Sequence, residues 1–157
     1  MDVVELERET RAADEAARRA RARLVSAVRS AYASGMSQRE IAAHSGRSQA
    51  EVNRLLRFHG TSPRARRLRE RRGGLVELLS GAGMTNARVF GSVATGRDHE
   101  GSDVDLLVTA TQPMGLLALS RVELEASELL GLPVDLLLDN SIRPDLRDRI
   151  LAEAVAL

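Results

Sequence analysis

The chain has 157 residues, a net charge of +1 and only 2% aromatic residues. That is enough for one domain or two small ones, with cores built from Leu, Val and Ala. It contains no cysteine, which excludes a disulfide framework, thiolate metal sites and a cysteine nucleophile. All 23 basic residues are arginine, so a phosphate-loop or Schiff-base lysine is excluded as well.

The near-neutral total hides an asymmetry. Residues 1–74 hold 17 Arg against 9 acidic residues, a charge of +8; residues 75–157 hold 6 against 13, a charge of −7. Such a split predicts two modules with different partners. The first residues lack the basic start and apolar run of a signal peptide, and no apolar stretch reaches the length of a membrane span. The expected compartment is the cytoplasm, with no membrane partner.

In chain order, residues 3–33 are rich in the helix formers Ala, Arg and Glu. Leu24, Val28, Ala31 and Tyr32 mark an apolar face with helical spacing, and Gly35 ends the helix. The weakly apolar stretch before Leu24 reads as a projecting or partner-packed helix. Nothing in the composition opposes a homo-oligomer. Ser37-Gln38-Arg39-Glu40 and Ser48-Gln49-Ala50-Glu51 have the form of capping boxes. They predict short helices from Ser37 to about Ala43 and from Ser48 to about Phe58. Joined through His44-Ser45-Gly46-Arg47, these make a helix-turn-helix pattern.

Here the sequence resembles the bacterial helix-turn-helix regulators. Ala42 falls at the tight contact between the helices, Gly46 at the turn, and Val52 and Leu55 on the buried side of the second helix. The resemblance implies that the second helix enters the major groove of duplex DNA. Arg47, Ser48, Gln49, Asn53 and Arg54 are then the candidate DNA contacts; Gln and Asn suit adenine, Arg suits guanine or phosphate.

Ser62-Pro63 starts a further helix, with Pro at its first position. The run from Arg64 to Arg72 is a basic helix or linker, broken by Gly73-Gly74 at the expected domain boundary. From Leu75 the texture becomes apolar. The sequence predicts a helix over Leu75–Leu79, a strand over Ala87–Phe90, a Gly91-Ser92 turn and a second strand over Asp105–Val108. A helix over 115–130 with Leu116, Leu119, Leu124 and Leu130 on its apolar positions comes next. A third strand over Val134–Leu138 and a closing helix from Arg143 to Val155 complete the chain.

Residues 91–105 carry the chemistry. Asp103 and Asp105 stand at i and i+2 of a strand, so their carboxylates share one face. A hard cation such as Mg²⁺ takes ligands of this kind, usually one or two carboxylates plus substrate phosphates. Backbone amides and the Ser92 hydroxyl at the Gly-Ser turn suit an anionic substrate end. Asp135 lies inside an otherwise apolar strand, where a charge is costly without a partner or a task. The three histidines, His44, His59 and His99, show no ligand spacing and read as surface residues.

The segment from Gly91 to Asp105, together with Asp135, resembles the nucleotidyltransferase superfamily of DNA polymerase β type, and most of all its short prokaryotic "minimal nucleotidyltransferase" (MNT) group. The resemblance covers about residues 75–157. Together with the helix-turn-helix resemblance it implies an α+β protein of two modules: an all-α helix-turn-helix domain with a basic linker over 1–74, and an α/β nucleotidyltransferase-like domain with a small mixed sheet over 75–157. It further implies that Gly91, Ser92, Arg97 and Ser102 bind the nucleotide, with ATP or another NTP as substrate. Asp103, Asp105 and Asp135 would be the catalytic residues and hold two Mg²⁺ ions. The sequence departs from the family pattern at Thr95, where an arginine is usual; Arg97 is the candidate replacement.

Short MNT proteins are similar to antitoxins that attach AMP to a partner ribonuclease of the HEPN class. The expected function is therefore a DNA-binding nucleotidyltransferase that modifies a HEPN-type toxin. Two alternatives stay open: transfer to tRNA or a small molecule such as an aminoglycoside, and a transcription regulator whose transferase domain only senses nucleotide.

Overall fold

The computed structural model describes all 157 residues. The chain forms two compact units, Met1–Leu56 and Arg57–Leu157, whereas its composition divides it at Gly74.

The first unit is helical. Helix α1 (Val3–Ala33) is followed by α2 (Gln38–Ser45) and α3 (Gln49–Leu56). Ser37 and Glu40 form the expected reciprocal cap at α2: Ser37 Oγ accepts from the Glu40 amide at 3.2 Å, and the Glu40 carboxylate accepts from the Ser37 amide at 2.8 Å. Such a cap is worth about 1 kcal/mol. The second cap is met on one side, with Ser48 Oγ accepting from the Glu51 amide at 3.2 Å; the Glu51 carboxylate pairs with Arg47 at 2.7 Å. Gly46 ends α2 in the left-handed region at φ +66°. Val28, Ile41, Ala42, Val52 and Leu55 make the core.

The second unit opens with α4 (Pro63–Glu70) and α5 (Arg72–Gly81). The Gly73-Gly74 pair does not separate two modules, as the sequence suggested; it lies in the first turn of α5, and the bend falls at Arg71. Each glycine costs the helix about 1 kcal/mol, but Leu75 and Leu79 are fully buried, as are Ala65 and Leu68 of α4 in the same core. Burial outweighs local propensity.

Four strands follow: β1 (Met84–Phe90), β2 (Val104–Ala110), β3 (Val134–Leu138) and β4 (Val155–Ala156). Their order is β3-β2-β1-β4, with β2 and β3 parallel and the other pairs antiparallel. The fold is thus helical with a small mixed sheet. Between β1 and β2 lie the short α6 (Gly91–Thr95) and a loop. Helix α7 (Leu116–Leu130) connects β2 to β3, and α8 (Pro144–Glu153) connects β3 to β4. Val155, expected at the end of the closing helix, instead pairs with Val89 in β4.

The two sheet faces differ. Val104, Leu106 and Val108 of β2, with Val134, Leu136 and Leu138 of β3, pack with α5 and α7. On the opposite face Leu107 packs with Ile142 and Ile150, flanked by Phe90, Leu137 and Leu146. A bulge sets this sorting. The β1–β2 register slips by one between Thr85 and Arg88, where Asn86 takes φ 52°. A one-residue slip exchanges faces, so Met84 and Val89, five apart in sequence, both reach the same core. In α7 the buried residues are Val122, Ala126 and Leu130, while Leu116 and Leu124 are exposed at 78% and 61%. That corrects the expected apolar face. The outer edge of β3 is closed by α7 side chains: Ser127 Oγ accepts from the Val134 amide and Glu123 Oε1 from the Leu136 amide.

Candidate active site

Sheet register assembles the acids. Asp105 of β2 lies directly beside Asp135 of β3 and opposite Phe90 of β1. Directly paired residues project to the same face, and Asp103 shares it by period two. The three carboxylates therefore cluster at one end of the α8-side face. Beyond them the face turns apolar through Leu107 and Leu137.

The charges are felt mutually. Burial first, then Asp135, Asp103 and Glu153, push the Asp105 carboxyl from an ordinary 3.8 up to about 6. Asp135 is also pushed up, by burial and then by Asp103 and Glu123. An accumulation of negative charge of this kind suits a divalent cation. No three acidic or histidine side chains are gathered tightly enough to cage an ion unaided.

The turn after β1 is shaped around Asp105. Gly91 has φ +70°, and a Cβ placed there would collide with Asp105 Oδ2 and stand 3.2 Å from its Cγ. Only glycine leaves room for the carboxylate. The next residues wind into α6, closed at Gly96 in the left-handed region at φ +72°. Ser92 is half-buried, and its carbonyl accepts from the Arg97 amide at 2.9 Å. Thr95 Oγ1 donates to the Gly91 carbonyl at 3.0 Å, bracing the turn from within. Arg97 is exposed.

Ser102, expected at the nucleotide, is buried and turned into its own loop. Its hydroxyl accepts from the His99 amide at 2.9 Å, and its amide donates to the His99 carbonyl at 3.0 Å. The loop is held from outside by α4. Arg64 Nε donates to the Ser102 carbonyl at 2.7 Å, and its Nη2 to the Glu100 carbonyl. Ser62 Oγ donates to Asp98 Oδ2 at 2.7 Å. Arg64 and Ser62 thus fix the loop that delivers Asp103. Sequence reading missed this role, and it missed Glu153 and Glu123 beside the acids. The partners lie tens of residues away, so no local signal marks them; the Ser62-Pro63 start shows only that a helix begins there.

In the first unit the candidate DNA residues differ in exposure. Ser48, Gln49 and Arg54 are exposed; Arg47 and Asn53 are half-buried. Arg47 pairs with Glu51, and Asn53 Nδ2 donates to Gln38 Oε1 at 3.4 Å.

Comparison with known proteins places the second unit. A family model described as a nucleotidyltransferase domain matches residues 68–157. The chain is 44% identical over 81 residues to a protein of Methanocaldococcus jannaschii named as a candidate protein adenylyltransferase, covering 52% of this chain and 87% of that one. It is 37% identical over 79 residues to the protein adenylyltransferase MntA of Thermococcus cleftensis, covering 50% of this chain and 80% of the relative. The solved structure of a candidate minimal nucleotidyltransferase superposes with a TM-score of 0.52 at 41% identity, covering 57% of this chain and 92% of that one. With the acids in register beside a glycine turn and the matched segment spanning almost the whole second unit, the chain belongs to the nucleotidyltransferase domain family.

Proposed function

We propose that the protein transfers AMP from ATP to a hydroxyl of a partner protein, as the antitoxin of a pair whose toxin is of the HEPN class. The observation that carries the reading is the in-register pair Asp105–Asp135 with Asp103 on the same face, set against the glycine turn at Gly91. The relatives named as protein adenylyltransferases support AMP as the transferred group and protein as the acceptor.

In this reading Gly91 and Ser92 hold the triphosphate through backbone amides and the Ser92 hydroxyl, with Arg97 available to its outer phosphates. Asp103 and Asp105 would hold Mg²⁺, with Asp135 completing the site; the bound metal supplies charge neutralisation at the phosphates and orients them for in-line displacement. The acceptor oxygen attacks the α-phosphorus and forms the new P–O bond. The bond between the α-phosphorus and the α–β bridging oxygen breaks, and pyrophosphate leaves. The acceptor proton passes to Asp135, which stands in register beside Asp105. Ser102 acts by closing the loop that carries Asp103.

The second unit is small, with 101 residues from Arg57 to Leu157, and gives little material for a separate acceptor-binding domain. A folded protein partner would bring that wall itself. The first unit, through Ser48, Gln49 and Arg54, would bind duplex DNA and tie the enzyme to its operator.

The test is incubation of the full chain with ATP, Mg²⁺ and the product of the neighbouring gene, followed by intact mass measurement. The partner should gain one or more AMP units, and Asp135→Asn should prevent the gain. Label on tRNA or on a small molecule, with the partner unmodified, would overturn the antitoxin reading.

A further inference from the structure

Helix α1 is 31 residues long, yet its first 21 residues, Val3 to Arg23, are all exposed to solvent rather than packed in a core. Only the stretch from Leu24 onward packs on the core of its unit. An isolated helical segment is marginal in water, and most helical stability comes from packing an apolar face. Val3 and Leu6 stand 71% and 55% exposed.

The sequence of this segment carries a strict 3-4 repeat. Val3, Thr10, Ala17 and Leu24 occupy one seam position, and Leu6, Ala13, Ala20 and Ala27 the other. Eight successive seam positions hold seven apolar residues and one threonine. That is the spacing of a coiled-coil seam, and small residues at its middle let two helices approach closely. Leu24 is only half covered by its own unit and Ala27 is exposed, so the seam runs free to its end.

Charge selects the occupant. Residues 1–15 hold six acidic residues against two arginines, and residues 16–30 hold five arginines and no acid. Dipole compensation does not explain this, because Arg18, Arg19, Arg21 and Arg23 lie well inside the helix, and the dipole acts within the terminal turns. The flanking positions beside the seam follow the same division: Glu7 and Glu9 on the acidic half, Arg21 and Arg23 on the basic half.

We propose that two copies of the chain pair through α1 as an antiparallel two-helix coil. Crossing near residue 15 sets Glu7 and Glu9 against Arg21 and Arg23 of the second copy, twice over by symmetry. Leu6 then meets Leu24, Thr10 meets Ala20, and Ala13 meets Ala17. The overlap from Val3 to Ala27 is about 36 Å long at 1.5 Å per residue. One like-charged meeting remains, Asp14 with its own copy at the centre, with Arg11 and Arg18 a turn away on either side. A parallel pair would bring Asp2 against Glu7 and Glu9 against Asp14, so charge opposes it.

The experiment uses the full chain and sedimentation equilibrium, with circular dichroism to check that each variant is folded. The unaltered chain should be a dimer. Glu7→Arg with Glu9→Arg, and separately Arg21→Glu with Arg23→Glu, should each weaken self-association by roughly tenfold or more, since four attractive contacts become repulsive. Mixing the two variants should restore a heterodimer, with the recovery reduced at high salt. A monomeric unaltered chain, a Glu7→Arg/Glu9→Arg variant that associates more tightly, or a mixture that stays monomeric would each overturn the proposal. The second of these would indicate parallel pairing.

Discussion

Replacing Gly91 by alanine separates backbone cost from site geometry, because a second glycine provides the control. Gly91 and Gly96 sit at φ +70° and φ +72°, one at each end of α6. A Cβ in this region costs about 1–2 kcal/mol, which in a unit of this size lowers the melting temperature by roughly 4–16 °C. Both substitutions should therefore destabilise to a similar degree. They differ in what the methyl meets. At Gly96 nothing lies within 4 Å, whereas at Gly91 the methyl meets the Asp105 carboxylate. Restoring ordinary contact requires that carboxylate to withdraw by about 1 Å, a displacement that costs on the order of 100-fold in rate at a reacting centre. The assay is transfer of label from α-labelled ATP at a temperature where circular dichroism shows all three proteins folded. Gly96→Ala should turn over near the unaltered rate, and Gly91→Ala should fall by about two orders of magnitude. Equal rates for the two variants would refute the claim that the gap at Gly91 fixes Asp105.

Three further outcomes follow from the same geometry. Asp103→Asn or Asp105→Asn should abolish Mg²⁺-dependent transfer while the melting curve stays cooperative, because ligand charge and triphosphate positioning are lost together; undiminished transfer by the folded double variant would defeat the assignment. Without metal, stability should fall as pH rises from about 4 through about 6, since the folded Asp105 carboxyl titrates near 6 against an ordinary 3.8 and its neutral form is the one folding favours. Asp105→Asn should accordingly melt higher than the unaltered chain at pH 7.5 and equal to it at pH 4, a difference that thermal melts would show directly. For the first unit, retention of DNA carrying the chain's own promoter should decline steeply with salt. Gln49→Ala should reduce sequence preference more than non-specific affinity in competition binding.

What the sequence disclosed depended on the range of the interaction responsible. The α2 cap is written within four residues, and Ser37 and Glu40 make it as expected. Strands β2 and β3 are short apolar runs bounded by turn residues, and both lie where those runs lie. Strand β4 is different: Val155-Ala156 has no strand pattern of its own and becomes one only because β1 offers a free edge. Leucine abundance misled the reading of α7, since Leu116, Leu117 and Leu124 compete with Val122 and Ala126 for the buried face and only the tertiary fit selects the latter. In the site, the Gly-Ser turn and the Asp-x-Asp spacing were legible. The orientation of Ser102 was not, because a serine beside an aspartate gives no sign of which way its hydroxyl turns.

The contrast between Asp105 and Arg64 explains why the acids need support from afar. Gathering Asp103, Asp105 and Asp135 on one face is unfavourable in the absence of a cation, as the upward shifts at Asp105 and Asp135, caused first by burial and then by the neighbouring carboxylates, record. Left to itself, a loop ending in Asp103 would relax away from the other two. Sheet pairing fixes Asp105 and Asp135 through backbone hydrogen bonds that charge cannot easily break, but Asp103 precedes β2 and has no such tether. Arg64 and Ser62 supply it, by binding the carbonyls of Glu100 and Ser102 and the side chain of Asp98. None of these bonds touches the acids themselves, so the carboxylates keep their oxygens available for a metal and a substrate. That placement also accounts for why α4 folds with the transferase unit although its arginine-rich composition matches the first half of the chain: its charge holds the loop's backbone, and Ala65 and Leu68 anchor it in the core beneath.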